Sequence, residues 1–199
     1  PFEIIQKASL EDVKGICVIG GDGTMHEVIN GLLSRSDAVN LPIGLIPAGT
    51  GNSLMHDLNS LKPYDAVENI IANKTRKLDI FEVTGKGQKI YCFNILGWGI
   101  PVDINTLAEK MRWLLGQRYN VASLIEVLKN RTREVKIEID NQLIEGRYGF
   151  FLACNTQYTG NDMRMAPMAL LDDGYINILV AKKVSRWRLF YLFAKVFKG

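Results

Sequence analysis

The sequence predicts an α/β fold followed by a β-rich part: a doubly wound parallel unit, then an antiparallel, sandwich-like domain. Three observations support this. Strand-like and helix-like segments alternate through the first third of the chain, which is typical of parallel sheets. Two of those strands end in glycine-rich turns. From about residue 78, alternating segments face each other across short turns, which indicates antiparallel pairing. We predict domains at 1–77 and 78–199.

The first domain begins with an apolar strand at 16–20, and a helix follows at 24–34. A second buried strand at 41–47 leads through another glycine turn into a helix within 48–58. Pro63 opens a third helix, because proline suits the first helical turn. The apolar spacing of period 3.6 predicts the buried faces of the first and third helices. These faces are Met25, Val28, Ile29, Leu32 and Leu33, and then Ala66, Val67, Ile70 and Ile71.

The second domain begins with two strands joined by a Gly-Lys-Gly turn between residues 78 and 99. A helical stretch covers 105–130, and a hairpin across an Asp-Asn turn covers 135–155. Residues 175–184 form one more strand. Because the first domain lacks an evident opening strand, we expect it to be incomplete at its N-terminus.

Composition narrows the class of protein. The 199 residues are 47% hydrophobic and 23% charged, which argues against disorder, and a net charge of +3 gives no indication of nucleic-acid binding. Cys17, Cys92 and Cys154 are widely spaced, and we interpret them as reduced core residues. The sequence contains no apolar run near the ~20 residues of a membrane span. We expect a cytoplasmic protein, with peripheral membrane contact at most.

The two glycine turns are candidate anion sites, although neither GxxxxGK[ST] nor GxGxxG is present. A strand–glycine–helix junction presents bare N–H groups and a helix N-terminus, which favour an anion. The alternative is that these glycines only form tight turns. Thr24 and Glu27 have the spacing of a capping box. Asp22 is unusual there, because a carboxylate beside a phosphate needs a metal, a proton or a hydroxyl. Otherwise it is a surface turn aspartate.

Several motifs occur in order along the chain. GGDGTMHEVINGL and IPAGTGNSL are followed by LDIFEV, by GWGIPVDINTLAEKMRWLLGQRY and by APMALLDDGYINILV. Together they resemble the diacylglycerol kinase catalytic-domain family of lipid kinases, most closely the sphingosine and ceramide kinase branch. The resemblance covers essentially the whole chain. The family also has an Asn-Pro-x-Ser-Gly loop before these motifs and an Asp-Gly-Glu after them, whose glutamate is an alternative base. The resemblance therefore implies that the domain at 78–199 is incomplete at its C-terminus. It implies an ATP-dependent kinase that phosphorylates a hydroxyl of a membrane lipid: ceramide, diacylglycerol or a sphingoid base.

The resemblance also implies residue roles, with ATP and Mg²⁺ as cofactors. Asp22 would be catalytic, either accepting the proton of the lipid hydroxyl or holding magnesium. Phosphoryl transfer depends mostly on such positioning and charge neutralisation. The nucleotide would be bound by Gly20, Gly21, Asp22, Gly23, Thr24, Glu27, Gly49, Thr50, Gly51, Asn52, Arg112 and Arg118.

Arg112 and Arg118 are six positions apart. On one continuous helix they would point about 120° away from each other at ~100° per residue. Gly116 could end the helix between them and turn Arg118 inward. The alternative is a pair of solvated helix arginines.

The family places lipid recognition in the segment matching 103–109, so Asp103 and Asn105 are the candidate substrate residues. Sphingosine kinases carry an aspartate at the position of Asn105, where it pairs with the lipid amine. Asparagine has no charge for an ammonium, which favours a neutral lipid unless Asp103 compensates. Ser53 departs from the Gly-Thr-Gly-Asn-Asp of many diacylglycerol kinases, so that branch fits imperfectly too.

Two further features complete the predictions. Asp173 matches an aspartate that binds a structural magnesium in bacterial members, or else it is a turn residue. The tail at 182–199 is aromatic and cationic, with Ser185 as a helix cap. It is either an anionic-membrane contact or a core helix with a cationic rim. His26 and His56 have no partners in sequence that make a metal or catalytic site, and we interpret them as structural or cleft-lining. The oligomeric state is not predicted.

Two other interpretations stay open at this point. NAD kinases and phosphofructokinases share a Gly-Gly-Asp-Gly-Thr loop, so the substrate could be soluble. They are not expected to carry the GWGIPVD segment or the Asp-Gly strand. The second alternative is a non-catalytic module that binds nucleotide or lipid, against which the presence of Asp22 and both arginines argues.

Overall fold

The computed structural model describes residues 1–37, 39–159 and 163–183, together with residues 185, 187–189, 191 and 195. The chain forms two compact units. The first consists of Pro1–Ile95 and Asn155–Tyr175, and the second of Leu96–Cys154 and Ile176–Gly199. Each unit thus combines two separate stretches of sequence. The predicted division into domains between residues 77 and 78 stays a prediction.

The first unit contains a parallel strand pair with helices between and after its strands. Strand β1 (Ile16–Gly20) pairs with strand β2 (Ile43–Pro47) in parallel, with Ile16 opposite Ile43 and Gly20 opposite Pro47. Strands β3 (Phe81–Gly85) and β4 (Gln88–Cys92) form an antiparallel hairpin. The elements of the first unit are α1 (Phe2–Lys7), β1 (Ile16–Gly20), α2 (Asp22–Leu33), β2 (Ile43–Pro47), α3 (Ser53–Asp57), α4 (Pro63–Ile71), β3 (Phe81–Gly85), β4 (Gln88–Cys92), β8 (Tyr158–Thr159) and β9 (Met163–Arg164).

The predicted helix faces are mostly the observed ones. Four of the five residues predicted on the buried face of α2 are buried: Met25, Val28, Ile29 and Leu32. Leu33 is exposed and was wrongly predicted to be buried. In α4, Ala66 is buried, and Ile70 lies where a Cβ on Gly44 would touch it, at 2.7 Å. Ile70 is nevertheless 37% exposed and Ile71 is 80% exposed, so both were wrongly predicted to be buried. The failures at Leu33 and Ile71 occur at the last residue of a helix.

Two buried asparagines tie this unit together. The Asn30 side chain donates to the Tyr91 carbonyl and accepts from the Tyr91 N–H, each at 2.8 Å. It thereby supplies β4 with the hydrogen bonds of a neighbouring strand. The Asn155 amide donates to the carbonyls of Asp79 and Phe93 at 2.8 and 2.9 Å. Buried polar groups that are satisfied in this way fix one arrangement of the core.

The second unit contains a four-stranded sheet with helices. Its longest strand, β7 (Gln142–Cys154), lies between β10 (Asn177–Lys182) and β5 (Ile95–Gly99), and it also pairs with β6 (Arg133–Ile139). Asp140 and Asn141, both with positive φ, form the predicted turn between β6 and β7. The parallel pair and this antiparallel sheet confirm the predicted fold class. The elements of the second unit are β5 (Ile95–Gly99), α5 (Ile100–Lys110), a 3₁₀ helix (Arg112–Gln117), α6 (Arg118–Lys129), β6 (Arg133–Ile139), β7 (Gln142–Cys154) and β10 (Asn177–Lys182).

The helical stretch predicted at 105–130 is broken. Helix α5 ends at Lys110, a 3₁₀ helix follows, and α6 begins at Arg118. Helices α5 and α6 pack against each other, and each has one fully buried alanine, Ala108 in α5 and Ala122 in α6. Gly99 has φ +83, and a Cβ there would lie 2.3 Å from the Gly149 carbonyl oxygen. This position therefore requires glycine.

Three smaller predictions have clear outcomes. Cys92 and Cys154 are buried as predicted, but Cys17 on β1 is exposed rather than a core residue. In the tail, the Ser185 hydroxyl accepts a hydrogen bond from the Arg188 N–H at 3.3 Å, which confirms the predicted helix cap. Most of the tail, including Gly199, lies outside the described residues. Within the described part of the chain, every helix is too short or too polar to cross a membrane.

Candidate functional site

The two glycine turns lie against each other at the carboxyl ends of β1 and β2. We call residues 20–24 the first glycine loop and residues 48–52 the second glycine loop. A Cβ added to Gly49 would lie 2.5 Å from the Gly21 Cα, and one added to Gly21 would lie 2.9 Å from the Gly49 Cα. The Ala48 N–H also donates to the Gly20 carbonyl at 2.9 Å. The loops are thus packed backbone to backbone, at the edge where open α/β sheets bind ligands.

Asp22 joins the first glycine loop to the helix after the second. Its Oδ2 accepts the Ser53 N–H at 2.9 Å and its Oδ1 accepts the Leu54 N–H at 3.3 Å. These are the first two residues of α3, whose own cap residue makes no side-chain cap bond. The carboxylate therefore satisfies N–H groups that a helix start leaves free. This contact accounts for an acid in the loop and leaves each oxygen with a further lone pair.

Asn52 closes the second glycine loop. Its backbone is left-handed (φ 46°, ψ 42°), and its side-chain oxygen accepts the Gly49 N–H at 3.0 Å. Its amide nitrogen donates back to the Gly49 carbonyl at 2.8 Å. The amide is thus engaged within the loop. A nucleotide contact for Asn52, Thr50 or Gly51 stays a prediction.

Gly20 and Gly23 of the first glycine loop differ in whether packing within the protein excludes a side chain. A Cβ on Gly20 would lie 2.6 Å from the Thr24 hydroxyl oxygen, so packing inside the protein excludes a side chain there. A Cβ on Gly23 would meet no described atom within 4 Å, and its φ is not positive. Gly23 is exposed in the first turn of α2. Internal packing does not explain this glycine, whereas a ligand that approaches the backbone closely would.

The predicted capping box at Thr24 and Glu27 is wrong. Helix α2 begins at Asp22, with Gly21 as its cap and no side-chain cap bond. The helix begins three residues earlier than a capping box with Thr24 as its cap requires, so Thr24 is already inside the helix. The Glu27 carboxylate lies 3.1 Å from the Pro1 amino group.

The helix after the second glycine loop carries residues that sequence reasoning left aside. The Asp57 carboxylate accepts the N–H groups of Gln157 and Tyr158 at 2.9 and 3.4 Å. Burial raises the pKa of Asp57, and these two N–H groups offset part of that effect. The His56 ring stacks on the Tyr158 ring at 5.2 Å between centroids. The partners are about a hundred residues apart, so no local pattern indicates them.

In the second unit, Arg112 and Arg118 share one carboxylate. Arg112 Nε donates to Glu109 Oε2 at 2.8 Å, and Arg118 Nη1 lies 3.6 Å from Glu109 Oε1. The hydrogen bond with Arg112 lowers the pKa of Glu109. Arg112 is 74% exposed and Arg118 26%. The break between α5 and α6 thus brings together two arginines that a continuous helix would separate.

The substrate candidates lie in α5. Both oxygens of Asp103 accept hydrogen bonds from Arg133 Nη2, at 2.7 and 2.8 Å. Arg133 is the first residue of β6, and its guanidinium carbon lies 5.8 Å from the centre of the Trp98 ring. Asn105 is exposed. Sequence reasoning missed Arg133, because thirty residues separate it from Asp103 and no motif marks it.

Asp173 forms a turn. Its Oδ1 accepts the Tyr175 N–H at 3.0 Å, around Gly174 with φ +75. The Gly174 N–H donates to Asp79 at 2.6 Å. The described residues include no group of three or more His, Cys, Asp or Glu placed to hold a metal ion. The turn interpretation accounts for these contacts, and the magnesium role stays a prediction.

The predicted site residues therefore fall into two groups. The first unit brings Gly20, Gly21, Asp22 and Gly23 together with the second glycine loop. The second unit brings Arg112 and Arg118 together and holds Asp103 on Arg133. Each group is described within its own unit.

Comparison with known families finds two models, one for each part of the chain. Residues 2–83 match the family described as diacylglycerol kinase catalytic domain. Residues 94–199, more than half of the chain, match the YegS C-terminal NAD kinase beta sandwich-like domain. Through residues 94–199, the chain belongs to the family of the YegS C-terminal NAD kinase beta sandwich-like domain, and residues 2–83 are similar to the diacylglycerol kinase catalytic domain.

Individual relatives extend this result. The chain is 33% identical to the diacylglycerol kinase of Bacillus subtilis over 187 residues, which cover 90% of this chain and 59% of that protein. It is 35% identical to sphingosine kinase 1 of Arabidopsis thaliana over 136 residues, or 63% of this chain and 28% of that protein. A crystal structure of a diacylglycerol kinase from Bacillus anthracis matches with a TM-score of 0.70 and 25% identity. That match covers 97% of this chain and 61% of that chain. The chain thus spans at most about three fifths of these relatives.

Proposed function

We propose that the intact protein is an ATP-dependent lipid kinase, which transfers the γ-phosphate of ATP to a hydroxyl group of a membrane lipid. The observation that carries this proposal is the contact between the two glycine loops, together with Asp22 of the first loop, whose carboxylate is fixed by the first two N–H groups of α3. Relatives named diacylglycerol kinase and sphingosine kinase support the reaction class.

The first and second glycine loops would hold the phosphates of ATP. Their backbones approach so closely that side chains are excluded at Gly21 and Gly49. Gly23 leaves the first turn of α2 open, and the N–H groups of a helix start bind anions well. An oxygen of the nucleotide would therefore lie over Gly23. Thr24 and Glu27 follow in the same helix and would contribute from its side.

Asp22 would orient the acceptor. Two backbone N–H groups already fix its carboxylate, so its free lone pairs point in set directions. The lipid hydroxyl would donate its proton to Asp22 while its oxygen forms a bond to the γ-phosphorus. The bond between that phosphorus and the bridging oxygen breaks, and ADP leaves with the electron pair.

Magnesium fits this reaction, and Asp22 offers the carboxylate oxygens that the ion prefers. Mg²⁺ bound with ATP neutralises charge on the phosphate oxygens during transfer. Asp173 would hold a separate structural ion.

Arg112 and Arg118 would supply cations for the nucleotide phosphates. Arginine suits this role because its planar donors match phosphate oxygens. Glu109 would keep both side chains on one side of the helix break until phosphate replaces it.

The lipid head group would bind near Asp103 and Asn105. Asn105 has no charge, so we propose a neutral lipid, phosphorylated at least as well as a sphingoid base. Its substrate lies in a membrane, so the protein would work at the cytoplasmic surface as a peripheral protein. The cationic tail at 182–199 is a candidate contact.

A phosphotransfer assay with a panel of acceptors tests this proposal. The intact protein is incubated with radiolabelled ATP and with diacylglycerol, ceramide, monoacylglycerol or sphingosine in mixed micelles. We expect label in a neutral lipid. Strict dependence on a free amine would contradict the neutral-lipid proposal, and label in no lipid would contradict the lipid kinase.

A soluble acceptor is the second candidate, because residues 94–199 match a domain whose description likens its beta sandwich to that of NAD kinase. The same assay with NAD in place of lipid separates the two. Label in NAD alone would favour a soluble-substrate kinase. ATP binding without transfer to any acceptor would favour a non-catalytic module.

A further inference from the structure

Asp103 is held in a way that removes its availability as a counter-ion. Arg133 Nη2 donates to both of its oxygens, and the two side chains are 19% and 38% exposed. Trp98 lies beside the guanidinium. Partial burial keeps solvent from screening the pair as it would screen a surface pair. The charge of Asp103 is thus compensated inside its own unit.

The pair is poorly arranged as a device for stability. Arg133 Nη1 is buried and has no hydrogen-bond partner in the part of the chain that the structure describes. A buried donor without an acceptor destabilises the folded state. Apolar side chains of similar volume often replace such pairs without loss of stability. The arrangement therefore calls for an explanation beyond folding.

Charge explains it. A ligand ammonium brought to Asp103 would also come close to the Arg133 guanidinium, and like charges repel. A hydroxyl or a carbonyl meets no such repulsion. Asn105, two residues along α5, adds polarity without charge. Both positions near the proposed head-group site thus favour an uncharged ligand.

We propose that Arg133 is a specificity-determining residue, which neutralises Asp103 and so selects lipids with uncharged head groups over sphingoid bases. This inference rests on the proposed lipid kinase function and on lipid binding near Asp103. It predicts that removal of Arg133 releases Asp103 as a counter-ion for an amine.

The test uses four versions of the intact protein: wild type, Arg133→Met, the double variant Asp103→Asn/Arg133→Met, and Arg147→Met. Arg147 is a matched control, because it is an exposed arginine on the adjacent strand β7, opposite Glu134. The readout is the ratio of phosphorylation rates for a sphingoid base and for its N-acylated form. Thermal melts verify that each variant folds.

We expect Arg133→Met to raise the ratio of amine to N-acyl substrate by at least roughly tenfold, the size of discrimination that one pocket contact supplies. The double variant should return the ratio to the wild-type value, since the released carboxylate is gone. Arg147→Met should leave it unchanged. A folded Arg133→Met protein with an unchanged ratio would overturn the inference, as would a gain that persists in the double variant.

A binding measurement separates this inference from the proposed function. A short-chain sphingoid base and its N-acetyl form are titrated into the same four proteins by calorimetry. If no lipid is phosphorylated, the kinase proposal fails, but a gain of amine affinity in Arg133→Met alone still supports the role of Arg133. If Arg133→Met shows no such gain, or none of the four proteins binds either compound, the inference is wrong.

Discussion

A substitution at Gly23 distinguishes a requirement of ligand binding from a requirement of folding. Its replacement by alanine adds a methyl group that meets no described atom within 4 Å, at a backbone conformation open to any residue. Alanine in a helix is more stable than glycine by up to roughly 0.5–1 kcal/mol. Gly23→Ala should therefore leave the melting temperature unchanged or raise it by about 1–4 °C, since 1 kcal/mol corresponds to about 2–4 °C in a chain of this length.

The same methyl group should weaken nucleotide binding. If a phosphate oxygen lies over the first turn of α2, the Cβ displaces it from a backbone N–H. One charge-assisted hydrogen bond contributes roughly 1.5–3 kcal/mol. The loss corresponds to about tenfold to 150-fold in the dissociation constant of ATP. Titration calorimetry with a non-hydrolysable ATP analogue, alongside thermal melts, measures both quantities on one sample.

Two matched variants make the result decisive. Gly85 also has no described atom within 4 Å of an added Cβ, but it lies in β3, so Gly85→Ala should change ATP affinity very little. Gly49→Ala would place its Cβ 2.5 Å from the Gly21 Cα. It should destabilise the protein by about 1–3 kcal/mol. An unchanged ATP affinity in Gly23→Ala, or a stability loss above about 1 kcal/mol, would refute the reasoning.

Three further predictions follow from other contacts. Asn30→Ala should lower the free energy of unfolding by about 2–4 kcal/mol in urea denaturation, because the N–H and carbonyl of Tyr91 lose their partners; a loss below about 0.5 kcal/mol would contradict this. Burial raises the pKa of Asp57, so the folded state binds its proton more tightly than the unfolded chain. The contribution of Asp57 to stability should then fall as pH rises above 3.8, and in Asp57→Asn this part of the pH dependence should be absent from melts; an identical pH profile would contradict the assignment. Arg118→Met should weaken ATP binding roughly tenfold by calorimetry, the loss of one charge-assisted hydrogen bond, whereas the exposed control Arg147→Met should not.

Local patterns account for the correct predictions. The strands before both glycine loops and the hairpin turn at residues 140–141 follow from apolar runs and turn residues that lie next to each other in sequence. The capping-box prediction failed although its spacing is right. A start at Asp22, whose carboxylate reaches α3, places Thr24 inside the helix.

Long-range contacts account for most of what the sequence did not reveal. Asp22 meets Ser53 across 31 residues, and Arg133 meets Asp103 across 30. Periodicity describes one segment at a time, so it cannot indicate either pair. Gly116 was named as a residue that could end the predicted helix, and it lies in the 3₁₀ helix between α5 and α6. The α-helix already ends at Lys110, where no proline or glycine indicates an end. The shared contact of two arginines with Glu109 depends on that break.

The central claim is that Asp22 serves phosphate transfer to a lipid hydroxyl, and the Asp22→Asn variant of the intact protein tests it most directly. Asp65→Asn is the control, since Asp65 also lies in the first turn of a helix, α4. Transfer of label from ATP to lipid in mixed micelles should fall by about 10²–10⁴-fold in Asp22→Asn, the usual contribution of a group that assists proton transfer. ATP binding and folding should be retained, and Asp65→Asn should be fully active. Undiminished lipid phosphorylation by a folded Asp22→Asn protein would contradict the account.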